Sequence, residues 1–157
     1  MGKLLMLLLA TTSAFVVSAV ALAAANADKY SYKATMSAAQ EVPKPAGAKP
    51  GAGGVFTATA TEHAKNSTLA WKLTFSKLSG PASAAHIHLG AKGKAGNVLV
   101  PLCAAPAKPC KSGMTGKLTV KKDIADALER GKTYVNVHTA KNPAGEIRGQ
   151  VKLIGES

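Results

Sequence analysis

Two short stretches in which polar and apolar residues alternate place the strongest constraint on this chain. They are residues 85–90, with the sequence AHIHLG, and residues 134–139, with the sequence YVNVHT. Successive side chains of a β-strand point to opposite faces, so His86 and His88 share one face of the first stretch. By the same rule, His138 lies on the polar face of the second stretch. If the two strands are neighbours in a sheet, the three imidazoles converge.

The N-terminal residues have the features of a secretory signal peptide. Lys3 supplies a positive charge, residues 4–25 are apolar and uncharged, and the small-residue sequence ANA ends at position 27. We therefore predict that residues 1–27 are removed before Asp28, which leaves one periplasmic or secreted domain over residues 28–157. The alternative is an uncleaved anchor, because the apolar run approaches the roughly 20 residues that span a bilayer. After cleavage we expect no stable membrane insertion.

The charge balance of the mature part limits its partners. Outside the leader, 19 basic residues stand against 8 acidic ones, a net charge of +11. Such a surface favours anionic partners, among them an anionic envelope polymer or protein. The lysines are scattered and few aromatic residues lie among them, so the pattern is not that of a nucleic-acid-binding protein.

The two cysteines predict a local disulfide. Cys103 and Cys110 enclose the Pro-bearing sequence AAPAKP. In an exported chain, two cysteines at this spacing favour a structural bridge over thiol exchange, which typically uses C-x-x-C. Ligation of a metal by cysteine and histidine is the alternative.

The remaining pattern predicts an all-β fold. Residues 55–61 and 68–78 read as a hairpin, residues 146–153 as the last strand, and residues 123–130 as the one short helix. A Pro- and Gly-rich loop over residues 40–54 is long for a compact domain and is either a mobile arm or a cover. With turns at intervals of about ten residues, we expect an antiparallel Greek-key β-sandwich or barrel of about seven or eight strands.

Four motifs in this order resemble the CHRD domain, the module named from chordin. They are SAAQEVP at 37–43, AHIHLG at 85–90, YVNVHT at 134–139 and NPAGEIRG at 142–149. The resemblance spans nearly the whole mature chain and is to the bacterial type of single-domain exported protein. It implies an extracytoplasmic all-β domain and little about biochemistry; that the domain acts by binding is our own hypothesis.

A second resemblance is to copper/zinc superoxide dismutase, in which a His-x-His strand and a later strand histidine bind copper. His86 and His88 match that pair, and His138 matches the late ligand. The zinc-ligand loop of that family and its bridging histidine have no counterpart here. The resemblance therefore implies a copper site without zinc binding or dismutase turnover, and a copper-only dismutase-like enzyme is the least favoured reading.

The histidines carry the functional prediction. Imidazole suits copper and zinc, and the order of affinities favours copper, so we predict a site for copper or another divalent transition metal at His86, His88 and His138. The alternative is a metal-free interaction module in which these histidines are structural. His63 is more readily a surface residue than a fourth ligand. We expect Glu146 and Arg148 to form a charge pair across strands or at the turn. No catalytic motif is present, which favours a binding protein over an enzyme.

Overall fold

A computed structural model describes residues 27–157. The predicted signal peptide lies outside the described residues, except for Ala27. Cleavage before Asp28 and the alternative of an uncleaved anchor therefore stay predictions. Within the described part, no helix has the length and apolar character needed to cross a membrane.

The described residues form one antiparallel sheet of nine strands with a single α-helix, which confirms the all-β prediction. The sheet order is β5-β4-β7-β8-β1-β2-β3-β6, and β9 pairs with β1, so that the sheet curls into a nearly closed barrel. The bounds are β1 Lys29–Ser37, β2 Gly53–Glu62, β3 Asn66–Ser76, β4 Ala82–Leu89, β5 Val98–Ala104, β6 Met114–Lys121, α1 Lys122–Glu129, β7 Thr133–Thr139, β8 Ile147–Gln150 and β9 Lys152–Glu156. A 3-10 turn covers Ala38–Gln40.

The core follows from the two-residue period of the strands. In β2, Phe56, Ala58 and Ala60 point inward, while the intervening threonines lie on the outer face. The predicted hairpin is confirmed, because β2 and β3 pair over their whole lengths. Leu69 and Leu73 of β3 add to the same buried layer. The inner face of the barrel is thus filled by aliphatic and aromatic side chains.

The C-terminal strand differs from the prediction of one strand over residues 146–153. It is split at Val151, which is fully buried and whose backbone N–H donates to the carbonyl of Thr133 at 3.0 Å. Before this break β8 pairs with β7, and after it β9 pairs with β1. The strand count is therefore nine.

The long loop after β1 is held against the body of the protein. The backbone N–H of Ala46 donates to Oδ1 of Asn142 at 2.8 Å, across 96 residues of sequence. Of the two readings offered for this loop, a cover is the one that this contact supports. It lies over the turn that joins β7 to β8.

The predicted disulfide is present between Cys103 and Cys110. Cys103 is buried near the end of β5, and Cys110 packs against the core from the loop that leads to β6. β5 and β6 are the two strands at the ends of the sheet order. The bridge therefore constrains the loop that connects the two edge strands of the sheet.

Replacing both Cys103 and Cys110 with alanine should lower the free energy of unfolding by roughly 2–3 kcal/mol, because the unfolded chain gains the entropy of an open eight-residue loop. Urea unfolding of the oxidised protein and the double variant measures this difference. A thiol probe should leave the unreduced, native protein unlabelled. Full labelling before reduction would show that the bridge does not form.

Candidate metal centre

The pairing of β4 with β7 places the three histidines. In this antiparallel register His86 is opposite Asn136 and His88 is opposite Tyr134. His138 lies two residues beyond Asn136, opposite Ala84. The alternate residues of both strands point into the core. The imidazoles therefore share the outer face of the sheet, as the alternation predicts.

The three rings are close enough to act together. Nδ1 of His86 lies 3.0 Å from Nε2 of His138. One ligand atom from each of His86, His88 and His138 can be chosen so that all three lie within 4.8 Å of one another. His88 and His138 are each 8% exposed and His86 is half-buried, so the cluster is open to solvent mainly at His86.

Backbone carbonyls set the tautomers of two of these rings. Nδ1 of His88 lies 2.9 Å from the carbonyl oxygen of Gly96, and Nδ1 of His138 lies 2.9 Å from that of Pro143. A carbonyl only accepts hydrogen bonds, so both Nδ1 atoms carry the proton and both Nε2 atoms keep a lone pair. Nε2 of His138 accepts from His86, whereas the buried Nε2 of His88 has no hydrogen-bond partner among the described residues.

Burial keeps the rings neutral. It lowers the pKa of His86 to about 4, with the neighbouring His138 and His88 adding to the effect. Burial also lowers the pKa of His88 and of His138. The Gly96 carbonyl and the Asn136 side chain raise the pKa of His88 by less, as does the Pro143 carbonyl for His138. At neutral pH all three imidazoles are unprotonated and able to bind a cation.

A stack of side chains holds His88 in place. The Tyr134 ring is parallel to the His88 ring, with centroids 4.8 Å apart and an interplanar angle of 10°. On the other side of Tyr134, Cζ of the buried Arg148 lies 3.4 Å from the ring centroid. Nη2 of Arg148 donates to the carbonyls of Ala91 at 3.0 Å and Lys94 at 2.9 Å. The stack thus also fixes the loop whose Gly96 carbonyl orients His88.

Glu146 fixes the turn that orients His138. Its carboxylate is fully buried and accepts hydrogen bonds from the Ser79 backbone and hydroxyl, Thr139 Oγ1 and Asn142 Nδ2, at distances from 2.5 to 3.1 Å. Burial alone would raise the pKa of Glu146, but these donors outweigh it and the pKa is lowered. The network ties the loop before β4 to the turn that carries Pro143.

The predicted pair of Glu146 and Arg148 is wrong. Among the described residues, Glu146 forms no ion pair. Arg148 is held by loop carbonyls and by the Tyr134 ring. The two residues lie on either side of Ile147 in the chain, but their partners come from different loops. His63 is exposed and contacts Thr68 near the β2–β3 turn, away from the other histidines.

Glu41 is a buried polar residue that the sequence analysis did not single out. It is 1% exposed, and its Oε1 accepts from the backbone N–H of Val42 at 3.0 Å. A Cβ at Gly145 would lie 2.4 Å from Glu41 Oε2 and 2.8 Å from Asn136 Nδ2, and Gly145 has a φ of +132°. Only glycine fits there. The signal for Glu41 was its position in the motif SAAQEVP.

Comparison with known proteins identifies one family. The family model described as the CHRD domain matches residues 32–151, most of the chain. No curated protein and no solved structure matches the chain significantly.

The lowered pKa values of the histidines predict how stability depends on pH. The unfolded chain takes up protons near the ordinary histidine pKa of 6.5, whereas the folded protein resists them, so the free energy of unfolding should fall as the pH drops from 6.5 to about 5. Each resisted proton contributes about 1.4 kcal/mol per pH unit. We expect the free energy of unfolding of His86→Gln, measured by urea unfolding with a chelator present, to fall less steeply with decreasing pH than that of the wild type. Identical slopes would contradict this assignment.

Replacing Glu146 with glutamine should lower the free energy of unfolding by roughly 2–3 kcal/mol at pH 7, because the glutamine amide cannot accept a hydrogen bond from Asn142 where the carboxylate did. Since the pKa of Glu146 is below its ordinary value of 4.5, the difference from wild type should shrink as the pH falls below 4.5. Exposed Glu156→Gln is the matched control and should change stability by less than about 0.5 kcal/mol. Equal effects of the two variants would show that the network does not stabilise the fold.

Proposed function

The chain belongs to the CHRD domain family, and we propose that it is an exported binding protein that holds one divalent transition metal ion, preferably copper, at His86, His88 and His138. Family membership indicates an extracellular interaction module. The disulfide fits an extracytoplasmic location.

The observation that carries this proposal is the orientation of the imidazoles. Metal-binding histidines commonly donate their second ring N–H to a carbonyl or carboxylate, which fixes the tautomer and turns the lone pair toward the metal. His88 and His138 have this arrangement, with Gly96 and Pro143 as the acceptors. The Nε2 atoms of both rings therefore keep a lone pair that a metal can use.

The distances also suit a metal with little rearrangement. Two nitrogens bound at about 2.0–2.1 Å to one ion are about 2.9–3.3 Å apart for bond angles between square-planar and tetrahedral. The separation of 3.0 Å between His86 and His138 falls in this range. In the metal-free protein a proton on Nδ1 of His86 joins these two atoms, and the ion would replace it. The third ligand atom, within 4.8 Å of the others, needs a shift of about 1 Å.

Three imidazole nitrogens and an open position favour copper over zinc by the general order of affinities. The fourth histidine of the chain, His63, lies elsewhere, so the described residues offer no second set of histidines for zinc. This argues against a copper/zinc dismutase-like centre, and we propose a metal-holding protein in place of an enzyme. Superoxide turnover by the copper-loaded protein would support the enzyme instead.

Calorimetric titration of the mature, untagged protein with copper(II) and zinc(II) tests the proposal. We expect one copper ion per chain and weaker binding of zinc, with binding lost in the double variant His86→Ala, His88→Ala. His63→Ala is the matched control, because it removes an exposed histidine outside the cluster, and it should bind copper like wild type. Electron paramagnetic resonance of the copper(II) form should show hyperfine coupling to imidazole nitrogen.

Two results would contradict the metal site. One is no copper uptake by wild type at micromolar concentrations, which would leave a metal-free interaction module with structural histidines. The other is equal loss of binding in the control and the cluster variants. Circular dichroism and thermal unfolding of each variant separate a lost site from a lost fold.

A further inference from the structure

A groove lined by lysines lies beside the metal centre, on the outer face of β1, β8 and β9. It has a volume of about 410 Å³, and Lys33, Lys92 and Lys152 are its charged lining residues, with Gln40 and Gln150 between them. We call it the basic groove. A smaller recess of about 190 Å³ shares Gln40, Lys92 and Gln150 with it and adds Lys44 and Arg148. No acidic residue lines either one.

The lysines of the basic groove have no anionic partner in the described part of the protein. Lys33 and Lys152 are directly opposite each other in the pairing of β1 with β9, and like charges in that position destabilise a sheet. The ion pairs of the described residues both involve Asp126 and lie on or next to α1. An exposed like-charge pair at the floor of a groove fits a site whose counter-charge comes from a ligand.

The exposed acidic residues are gathered at a different part of the surface. Two of the eight acidic residues, Glu41 and Glu146, are buried. Three lie on α1, and the others cluster near Tyr30 at the chain ends and the β2–β3 turn. Burial is the largest cause of the raised pKa of Tyr30, and the negative charges that raise it further are those of Glu62, Asp28, Glu129 and Glu156. The exposed carboxylates of β9 and of the β2–β3 turn therefore lie toward the opposite end of β1 and β9 from Lys33 and Lys152.

The walls of the groove are held in place by its polar side chains. Nε2 of Gln150 donates to the carbonyls of Gly90 and Gly131, at 2.8 and 2.9 Å. Arg148 holds the loop that carries Lys92, and its Nη1 is buried with no hydrogen-bond partner among the described residues. A groove whose frame is already fixed loses little entropy when a ligand binds.

We propose that the basic groove binds a linear polyanion whose charged units are phosphate groups, of the chemistry that extracytoplasmic envelope polymers carry. Lysine ammonium groups bind phosphate as point charges from several directions. No aromatic side chain lines the groove, so it lacks the stacking platforms that single-stranded nucleic acids use. This site is separate from the histidines and does not depend on metal binding.

The probe for this proposal is inorganic polyphosphate of medium chain length, titrated into the mature, untagged protein at about 0.15 M salt with a chelator present, so that no metal bridges the phosphates. The double variant Lys33→Gln, Lys152→Gln should bind about tenfold more weakly. Its salt dependence should also fall, by about 1.5 in the slope of log affinity against log salt, because two ionic contacts are lost.

Lys65→Gln, Lys121→Gln is the matched control. It removes the same charge from exposed lysines that do not line the groove, and it should weaken binding less than about threefold with the salt slope unchanged. Thermal unfolding should show that the groove variant is at least as stable as wild type, since it removes the repulsion between Lys33 and Lys152.

Three outcomes would overturn the proposal. No polyphosphate binding by the wild type removes the site. Equal weakening in the groove and control variants shows attraction to net charge alone. Poly-glutamate or a single-stranded DNA of matched length that binds as tightly as polyphosphate, through the same lysines, rules out the assignment to a phosphate polymer without stacked bases. Weak binding of free orthophosphate beside tight binding of the chain supports a polymer over a single ion.

Discussion

The antiparallel register between β4 and β7 is the constraint on which the polar half of this structure depends. It brings His86 and His88 alongside the strand that carries His138, and it sends Ile87 and Val135 into the core. A slip by one residue would exchange these sets and bury three imidazoles among aliphatic side chains. All seven residues of β7 are buried, so both of its faces resist such a slip. The candidate metal centre is therefore as well defined as the core itself.

The outer face of these strands is polar and yet buried, and this has an energetic consequence. Each polar atom taken from water must find a partner, or it costs about 1–3 kcal/mol. Loop carbonyls provide most of the partners here: Gly96 for His88, Pro143 for His138, and Ala91 for Arg148. The loops consequently do two things, since they cover the face and set the orientation of its side chains. Some buried polar atoms of this face have no hydrogen-bond partner among the described residues, and for one of them, Nε2 of His88, a bound cation would supply it.

Local pattern was enough to predict the strands, the single helix, the disulfide and the shared face of the histidines. These features depend on a two-residue period or on neighbours close in sequence. The pairing of Glu146 with Arg148 was wrong because their true partners are remote: Ser79 lies 67 residues from Glu146, and Ala91 lies 57 residues from Arg148. The break at Val151 was missed for a similar reason, since there the chain changes its partner from β7 to β1, and β1 is remote in sequence. Alternation along one strand carries no information about which loop folds over it.

Arg148 connects the two proposed sites, and its charge affects them in opposite ways. In the recess beside the basic groove it adds to the attraction for anions. Near the histidines it contributes to lowering the pKa of His88, which keeps that ring neutral, but it also repels a cation. The Tyr134 ring limits the repulsion, because it lies between the guanidinium and His88. Burial raises the pKa of the nearby Glu41 carboxyl, and the charge of Arg148 opposes that rise. A neutral imidazole cluster and a cationic groove can therefore lie side by side, because the Tyr134 ring separates the guanidinium from His88.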